Sequence, residues 1–376
     1  MPVLTLLALL ALTPGCGVPS AAPEATAPAG ALPDPIYDAY DLFVVAGQSN
    51  ARGRGEAALS PVVPAGAAYE VLQSGSVVPL ADPVGRANTG SAWPAFANAY
   101  SEATGRGVVI VGQAAGGTAQ VALAGDGPTG HWDVRQPDNR YTRADRVARR
   151  ALAVAERELP GVRPAGWLWI QGGSDMRRIQ DGRLSLDEYR EGLHALARRV
   201  GSDWGVPLYL FVSGTDARED TPAAAAVREV QNEAGALDEV VVVYREAYTF
   251  PARGWMLPDH IHWSQDGLDE AGREGAAVAA EDQALRVGTS ENPQAPGFSE
   301  GVEAFPNPSA RAPHLNAGCP FLYAVVDARG RLVARGQGSG PTPLPALPVG
   351  AYVAQVRPRA GTAPACTGSV PFVVAR

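Results

Sequence analysis

Lysine is absent from this chain of 376 residues: all 31 basic side chains are arginine, against 39 acidic ones, and the net charge is -8 at neutral pH. No basic block or stripe stands out, so nucleic acid is a poor partner. Cysteine is scarce too, at three residues, which excludes a small disulfide scaffold. Long apolar runs are missing: Leu4 to Leu12 is far short of the roughly 20 residues a membrane-spanning helix takes, and no later segment qualifies. His260 and His262 alternate as two metal ligands on a strand would, but no third His or Cys lies near them in sequence. Gly116-Gly117-Thr118 lacks the Gly-Lys-Ser/Thr ending of a phosphate loop. Neither a metal nor an organic cofactor is therefore expected.

What is present points to a globular, turn-rich protein. Hydrophobic residues make up 46% and charged ones 19%, with 43 Gly and 33 Pro. At roughly 150 residues per domain, the length predicts about two domains. The run Leu4 to Leu12, followed by small residues, fits the apolar core of a signal peptide over 1–22. Leu12-Thr13-Pro14-Gly15-Cys16 loosely resembles a bacterial lipoprotein box, which would place a lipid anchor on Cys16; ordinary cleavage near Ala21 or Ala22 is the alternative. Either route predicts a secreted or cell-surface protein. Export also puts Cys319 and Cys366 where a disulfide can persist, with two unpaired thiols as the alternative.

An Ala/Pro-rich linker over 23–37 leads to the first core signal, Asp41 to Ala46, a short apolar run that reads as a strand buried on both faces. Similar runs recur at Gly107 to Gly112, Gly166 to Ile170, Pro207 to Val212 and Val240 to Tyr244. Helical stretches fall between or after them at Arg143 to Leu159, Leu186 to Val200, Thr221 to Ala234 and Leu268 to Leu285. This alternation predicts an α/β fold, a three-layer α/β/α flavodoxin-like domain with a parallel sheet over 38–288. After a linker at 289–303, short β-like runs spaced by turns predict a small all-β sandwich over 304–376.

Active residues of open parallel sheets gather beyond the carboxyl ends of the strands. The loops there carry Gly47-Gln48-Ser49-Asn50, Gly116-Gly117-Thr118, Gln171-Gly172-Gly173-Ser174-Asp175 and Asp259-His260-Ile261-His262-Trp263. A hydroxyl nucleophile needs a base, a group to orient that base and donors for the developing oxyanion. Ser49 is the candidate nucleophile. Asp259 and His262, three apart, share a face on one helical turn. Gly116 and Gly117 allow close backbone approach, and the Gln171 amide has hydrogens to donate. Asp175 reads as a cap on the helix that follows it. Trp93, Trp132 and Trp263 are candidates for stacking on a sugar face, with burial in the core as the alternative for each. An α/β-hydrolase fold is disfavoured, because its nucleophile follows several strands and Ser49 follows the first.

These blocks, in this order, resemble the SGNH hydrolase superfamily. Within it they are similar to the sialate O-acetylesterase-like group that includes the acetylxylan esterases of carbohydrate esterase family six. The likeness covers about Asp38 to Leu285. It implies a carbohydrate acetylesterase with Ser49, Asp259 and His262 as triad, and with Ser49, Gly116 or Gly117 and Gln171 around the oxyanion. Gln48 and Asn50 beside the nucleophile become weak candidates for substrate contact. Gly173 departs from the resemblance, which has Glu after Gln-Gly. A non-catalytic, surface carbohydrate-binding protein is the alternative from another class. Downstream, Phe305-Pro306-Asn307-Pro308, Val326-Asp327 with Gly330-Arg331, and Leu347-Pro348 with Gly350 and Tyr352 resemble the C-terminal sorting domain of type IX secretion substrates. That likeness implies a secretion machinery as partner and the outer surface of a Bacteroidetes-like bacterium as location.

Overall fold

In the computed structural model, residues 32–374 are described except 86, 88, 126–128, 216–219, 291–302, 306–312, 318–319, 328–331 and 359–367. All three cysteines, and Pro306-Asn307-Pro308, lie outside the described residues. The first part is a seven-stranded sheet in the order β3-β2-β4-β1-β5-β6-β7. Its strands are β1 (Tyr40–Gly47), β2 (Ala68–Val71), β3 (Val77–Pro79), β4 (Gly107–Gly112), β5 (Arg163–Ile170), β6 (Leu208–Phe211) and β7 (Val240–Tyr244). All pairs are parallel but β2 with β3. β1 holds the middle, with Phe43 opposite Ile110 on one side and Val44 opposite Trp167 on the other. Helices of both faces explain why these strands read as unbroken apolar runs.

Alternation along β5 shows the two faces. Leu168 and Ile170 join Phe43 and Val45 in a core with Trp93, Phe96 and Tyr100 of α2 (Trp93–Thr104) and Leu268 of α7 (Gln265–Ser290). Trp167 and Trp169 point the other way, toward Tyr141 of α3 (Arg140–Glu158), Trp204 of α5 (Leu186–Trp204) and Trp132. Local signals set the helix ends. Asn139, Ser185 and Thr221 each accept a backbone N–H of the first turn, at α3, α5 and α6 (Pro222–Glu233). α2, β2 and β3 were not expected. Pro94 in the first turn and left-handed Gly105 after the last are the signals that mark α2.

The chain ends in antiparallel sheets, ordered β11-β10-β13-β14 and β12-β9-β8. The larger comprises β10 (Phe321–Asp327), β11 (Leu332–Gly338), β13 (Gly350–Pro358) and β14 (Gly368–Val374), and the smaller β8 (Glu303–Phe305), β9 (His314–Asn316) and β12 (Thr342–Pro343). Phe321, Tyr323 and Val325, then Tyr352, Ala354 and Val356, then Phe372 and Val374, are buried at every second position around Leu315. Period two with one buried face is the pattern of a half-solvated antiparallel sheet. Among the described residues no helix is long and apolar enough to cross a membrane.

Candidate active site

β1 ends at Gly47, whose φ of 115° is open to glycine alone at low cost; a Cβ there would meet the Ile170 carbonyl oxygen at 2.2 Å. The chain turns sharply, with Gln48 N–H donating to Ile170 O at 2.9 Å, and Ser49 opens the short helix α1 (Ser49–Arg52). First-turn amides of a helix have no acceptor within it, and the Ser49 N–H is one of these. Ser49 Oγ lies 2.8 Å from His262 Nε2, and His262 Nδ1 lies 2.6 Å from Asp259 Oδ2. A carboxylate accepts only, so the proton of the neutral ring belongs on Nδ1 and Nε2 faces the serine as an acceptor.

The Asp259–His262 pair is not helical. His260 sits at φ 57°, and the segment is a tight turn in which Asp259 Oδ1 accepts from the backbone N–H of Ile261 and of His262, each at 3.0 Å. Such self-capping turns are a habit of Asp, and here they aim the carboxylate at the ring. Burial raises the Asp259 pKa, but the hydrogen bonds from the His262 ring and the two amides outweigh it and hold the carboxyl down at about 2. Asn50 fastens this turn to α1: its amide donates to Ile261 O at 3.4 Å and its Oδ1 accepts from Trp263 N–H at 3.1 Å.

On the other side of Ser49, the loop after β4 is tied to β1 by Ala115 N–H on Gly47 O at 3.1 Å. A Cβ on Gly116 would lie 3.8 Å from Ser49 Cβ, and Gly117 takes φ 72°. The loop thus passes beside Ser49 with bare backbone.

Several expected roles change. The Gln171 side chain is 1% exposed and its amide nitrogen is held by the Asp175 carboxylate and by Thr118 O, so it is not aimed at the oxyanion. Asn50 is 7% exposed and both ends of its amide serve the His262 turn, not a substrate. Gln48 keeps a place in a cavity wall, while its Oε1 accepts from Gly172 N–H at 3.3 Å. Trp93, Trp132 and Trp263 are all buried and offer no face for stacking. The Trp93 indole donates to Ala51 O at 2.8 Å and the Trp132 indole to Thr118 Oγ1 at 3.0 Å.

Asp175 also differs from expectation. Fully buried in the first turn of α4 (Gly173–Gln180), it spends its carboxylate across the site, accepting from Gln120 N–H at 2.8 Å, Val121 N–H at 3.0 Å and the Gln171 amide. Burial pushes its pKa up, against these donors, to about 6. It staples the Gly116–Gly117 loop to the end of β5. Sequence spacing could not show this, because Gln120 and Val121 lie more than fifty residues away.

The profile of the family described as carbohydrate esterase, sialic acid-specific acetylesterase matches residues 39–281. The chain belongs to this family. It is an SGNH-type carboxylic ester hydrolase, on a mostly parallel sheet flanked by helices. A protein of Arabidopsis thaliana is 20% identical over 64% of this chain and 98% of its own, with a TM-score of 0.50, and shares the fold. A carbohydrate acetylesterase from Xanthomonas citri is 15% identical, covering 89% of this chain and 79% of its own, with a TM-score of 0.40. A search of curated proteins returns no significant match.

Proposed function

We propose that this esterase removes O-acetyl groups from sugars or polysaccharides by a Ser49–His262–Asp259 mechanism. The observation that carries the reading is the line of two short contacts, Ser49 Oγ to His262 Nε2 and His262 Nδ1 to Asp259 Oδ2. His262 Nε2 takes the serine proton as Ser49 Oγ attacks the acetyl carbonyl. The ring becomes a cation beside Asp259, whose carboxylate stays ionised because its pKa is so low. The developing oxyanion is held by the Ser49 N–H and a glycine N–H of the 116–117 loop. His262 returns the proton to the departing sugar oxygen. Water, deprotonated by the same nitrogen, then attacks the acetyl-serine, and acetate leaves as Ser49 Oγ takes the proton back from His262.

Acetylated carbohydrate is the substrate class that the family points to. We extend the proposal to location: the apolar leader at Leu4 to Leu12 and the sorting-domain likeness of the C-terminal segment favour export, with a secretion machinery as partner and the cell surface as destination. The experiment is acetate release from acetylated xylan, and chromophore release from 4-nitrophenyl acetate, by the wild type and by Ser49→Ala. Turnover by the wild type alone is the expected result. Equal rates in both proteins would sink the serine mechanism, and no turnover in either would leave a carbohydrate-binding role.

A further inference from the structure

The loop beside Ser49 is built on Gly116 and Gly117, and glycine has more backbone freedom to lose than any other residue. Neither carries a side chain that packing could hold. Hydrogen-bond donors stabilise a transition state best when they are already fixed where its charge develops, so a neighbour has to restrain this backbone. Thr118 follows the pair directly. It is fully buried, and none of the reaction steps uses it.

The Thr118 hydroxyl stands among three polar groups. Oγ1 lies 2.9 Å from Ala115 O, 3.2 Å from Gly47 O and 3.0 Å from the Trp132 indole nitrogen. An indole N–H only donates and a carbonyl only accepts, so the hydroxyl accepts from Trp132 and shares its single proton between the two carbonyls. Ala115 and Thr118 bracket the glycines, and the shorter of these bonds closes the turn across both of them. Gly47 ends β1, two residues before Ser49, and the longer bond ties the same turn to it. Gly47 O also accepts the Ala115 N–H at 3.1 Å, so one carbonyl next to the serine gathers both ends of the glycine turn.

The rest of the segment is held by other groups. Thr118 O accepts from the Gln171 amide at 3.4 Å, and the N–H groups of Gln120 and Val121 belong to Asp175. Removing the hydroxyl therefore frees the glycine turn and leaves these bonds in place.

We propose that Thr118 is a positioning residue, whose hydroxyl sets the Gly116–Gly117 backbone against Ser49. The proposal rests on the reading above in which a glycine N–H of this loop meets the oxyanion. Being buried, Thr118 touches no substrate and acts only through the loop it closes.

The test removes the hydroxyl and keeps the shape. Thr118→Val should lose about tenfold in kcat on 4-nitrophenyl acetate with KM within about twofold of wild type, as expected when an interaction made only in the transition state is weakened. Thr118→Ser, which restores the hydroxyl, should recover to within about threefold of wild type. The oxyanion is read separately with O-(4-nitrophenyl) thionoacetate, in which sulfur, a weak acceptor, replaces the carbonyl oxygen. The wild-type preference for the oxygen ester, as a ratio of kcat/KM values, should shrink by about fivefold in Thr118→Val and hold in Thr118→Ser. Trp132→Phe takes one bond from the same hydroxyl but leaves both carbonyl bonds, so it should lower the unfolding midpoint and keep the ratio. If Thr118→Val does not fold, Thr118→Cys, small and only weakly donating, replaces it with a smaller loss in the same direction. A wild-type kcat and ratio in the hydroxyl-free variant would overturn the proposal and leave the esterase reading intact. An equal fall of the ratio in Trp132→Phe would overturn it too, by making Thr118 a packing residue and no more. A wild type that shows no preference for the oxygen ester, or cleaves neither, would instead sink the oxyanion reading beneath it.

Discussion

The two ends of the parallel sheet treat buried acids in opposite ways. At the amino ends, Asp41 of β1 is fully buried and meets two guanidinium groups, Arg163 at 2.7 Å and Arg106 at 2.9 Å, with the Tyr100 hydroxyl donating at 2.6 Å. At the carboxyl ends, Asp175 is just as buried but is answered only by neutral donors, two backbone N–H groups and an amide. Asp259 nearby leans on two amides and an imidazole. The two guanidinium groups tie β1 to β5 and to the turn before β4. In the proposed mechanism the proton at the carboxyl ends moves through His262 while Asp259 stays ionised.

The largest expected effect breaks the carboxyl end alone. Asp259→Asn keeps the shape of the turn but lets the imidazole settle in the wrong tautomer, and kcat should fall by about 10⁴-fold, or roughly 5.5 kcal/mol, with only a modest drop in the thermal midpoint from the lost carboxylate. Steady-state kinetics beside calorimetry checks both halves of that statement. A variant keeping a tenth of the activity would remove Asp259 from the mechanism.

The next effect breaks the amino end alone. Asp41→Ala leaves Arg106 and Arg163 without their shared carboxylate and the Tyr100 hydroxyl without an acceptor. Because both arginines reach solvent at their edges, we expect a loss near the low side for broken buried pairs, about 3 kcal/mol. Urea unfolding measures it. The folded fraction should keep the wild-type KM, and a changed KM would mean that the two ends are coupled.

The loops that carry the site were legible because the chemistry is local: a Gly-flanked serine after the first strand and an Asp-x-x-His after the last. Strands β4 and β7 were legible because runs such as Val240–Tyr244 are apolar without a break. Roles that depend on a distant partner were not. Gln171 looked like an oxyanion donor because nothing adjacent shows that Asp175 and Thr118 claim its nitrogen. An indole's neighbours in sequence do not say which way it faces, and Trp93, Trp132 and Trp263 all face inward. Weak periodicity hid β2 and β3, which are only four and three residues long.

A smaller effect separates the two carboxylates of the same rim by their pH dependence. Asp259, held at about 2, is depressed below its unfolded value, so its contribution to stability is present above about pH 4 and is lost as pH falls toward 2. Asp175 runs the other way. Its folded pKa of about 6 is raised, so the folded state holds the proton more tightly, and stability is lost as pH rises from about 4 through 6. Asp175→Asn should reduce that slope by its own share while Asp259→Asn leaves it in place, as unfolding midpoints from pH 4 to 7 would reveal; burial also raises Glu70 to about 7 and Asp269 to about 6, so part of the slope stays in the Asp175 variant. The Asp175 variant should also lose about tenfold in kcat/KM, since an amide cannot accept both from Gln120 and Val121 as a carboxylate does. A wild-type slope surviving in Asp175→Asn would assign it to another group.

The smallest effect asks whether lying at the carboxyl end is enough to make a polar group functional. Helix α5 begins there: the Gln120 side chain of the loop after β4 donates to Gly192 O at 2.9 Å, in its second turn. Its first residues form a closed unit, Ser185 Oγ accepting from Glu188 N–H at 3.2 Å while Glu188 accepts from Ser185 N–H at 2.8 Å. Both capping bonds stay inside the helix end. Ser185→Ala should therefore cost about 1 kcal/mol of stability, the usual value of a lost cap, and leave kcat/KM unchanged. A drop in kcat/KM would mean that α5 sets the position of the Gly116–Gly117 loop, extending the functional end of the sheet one layer further out than Asp175.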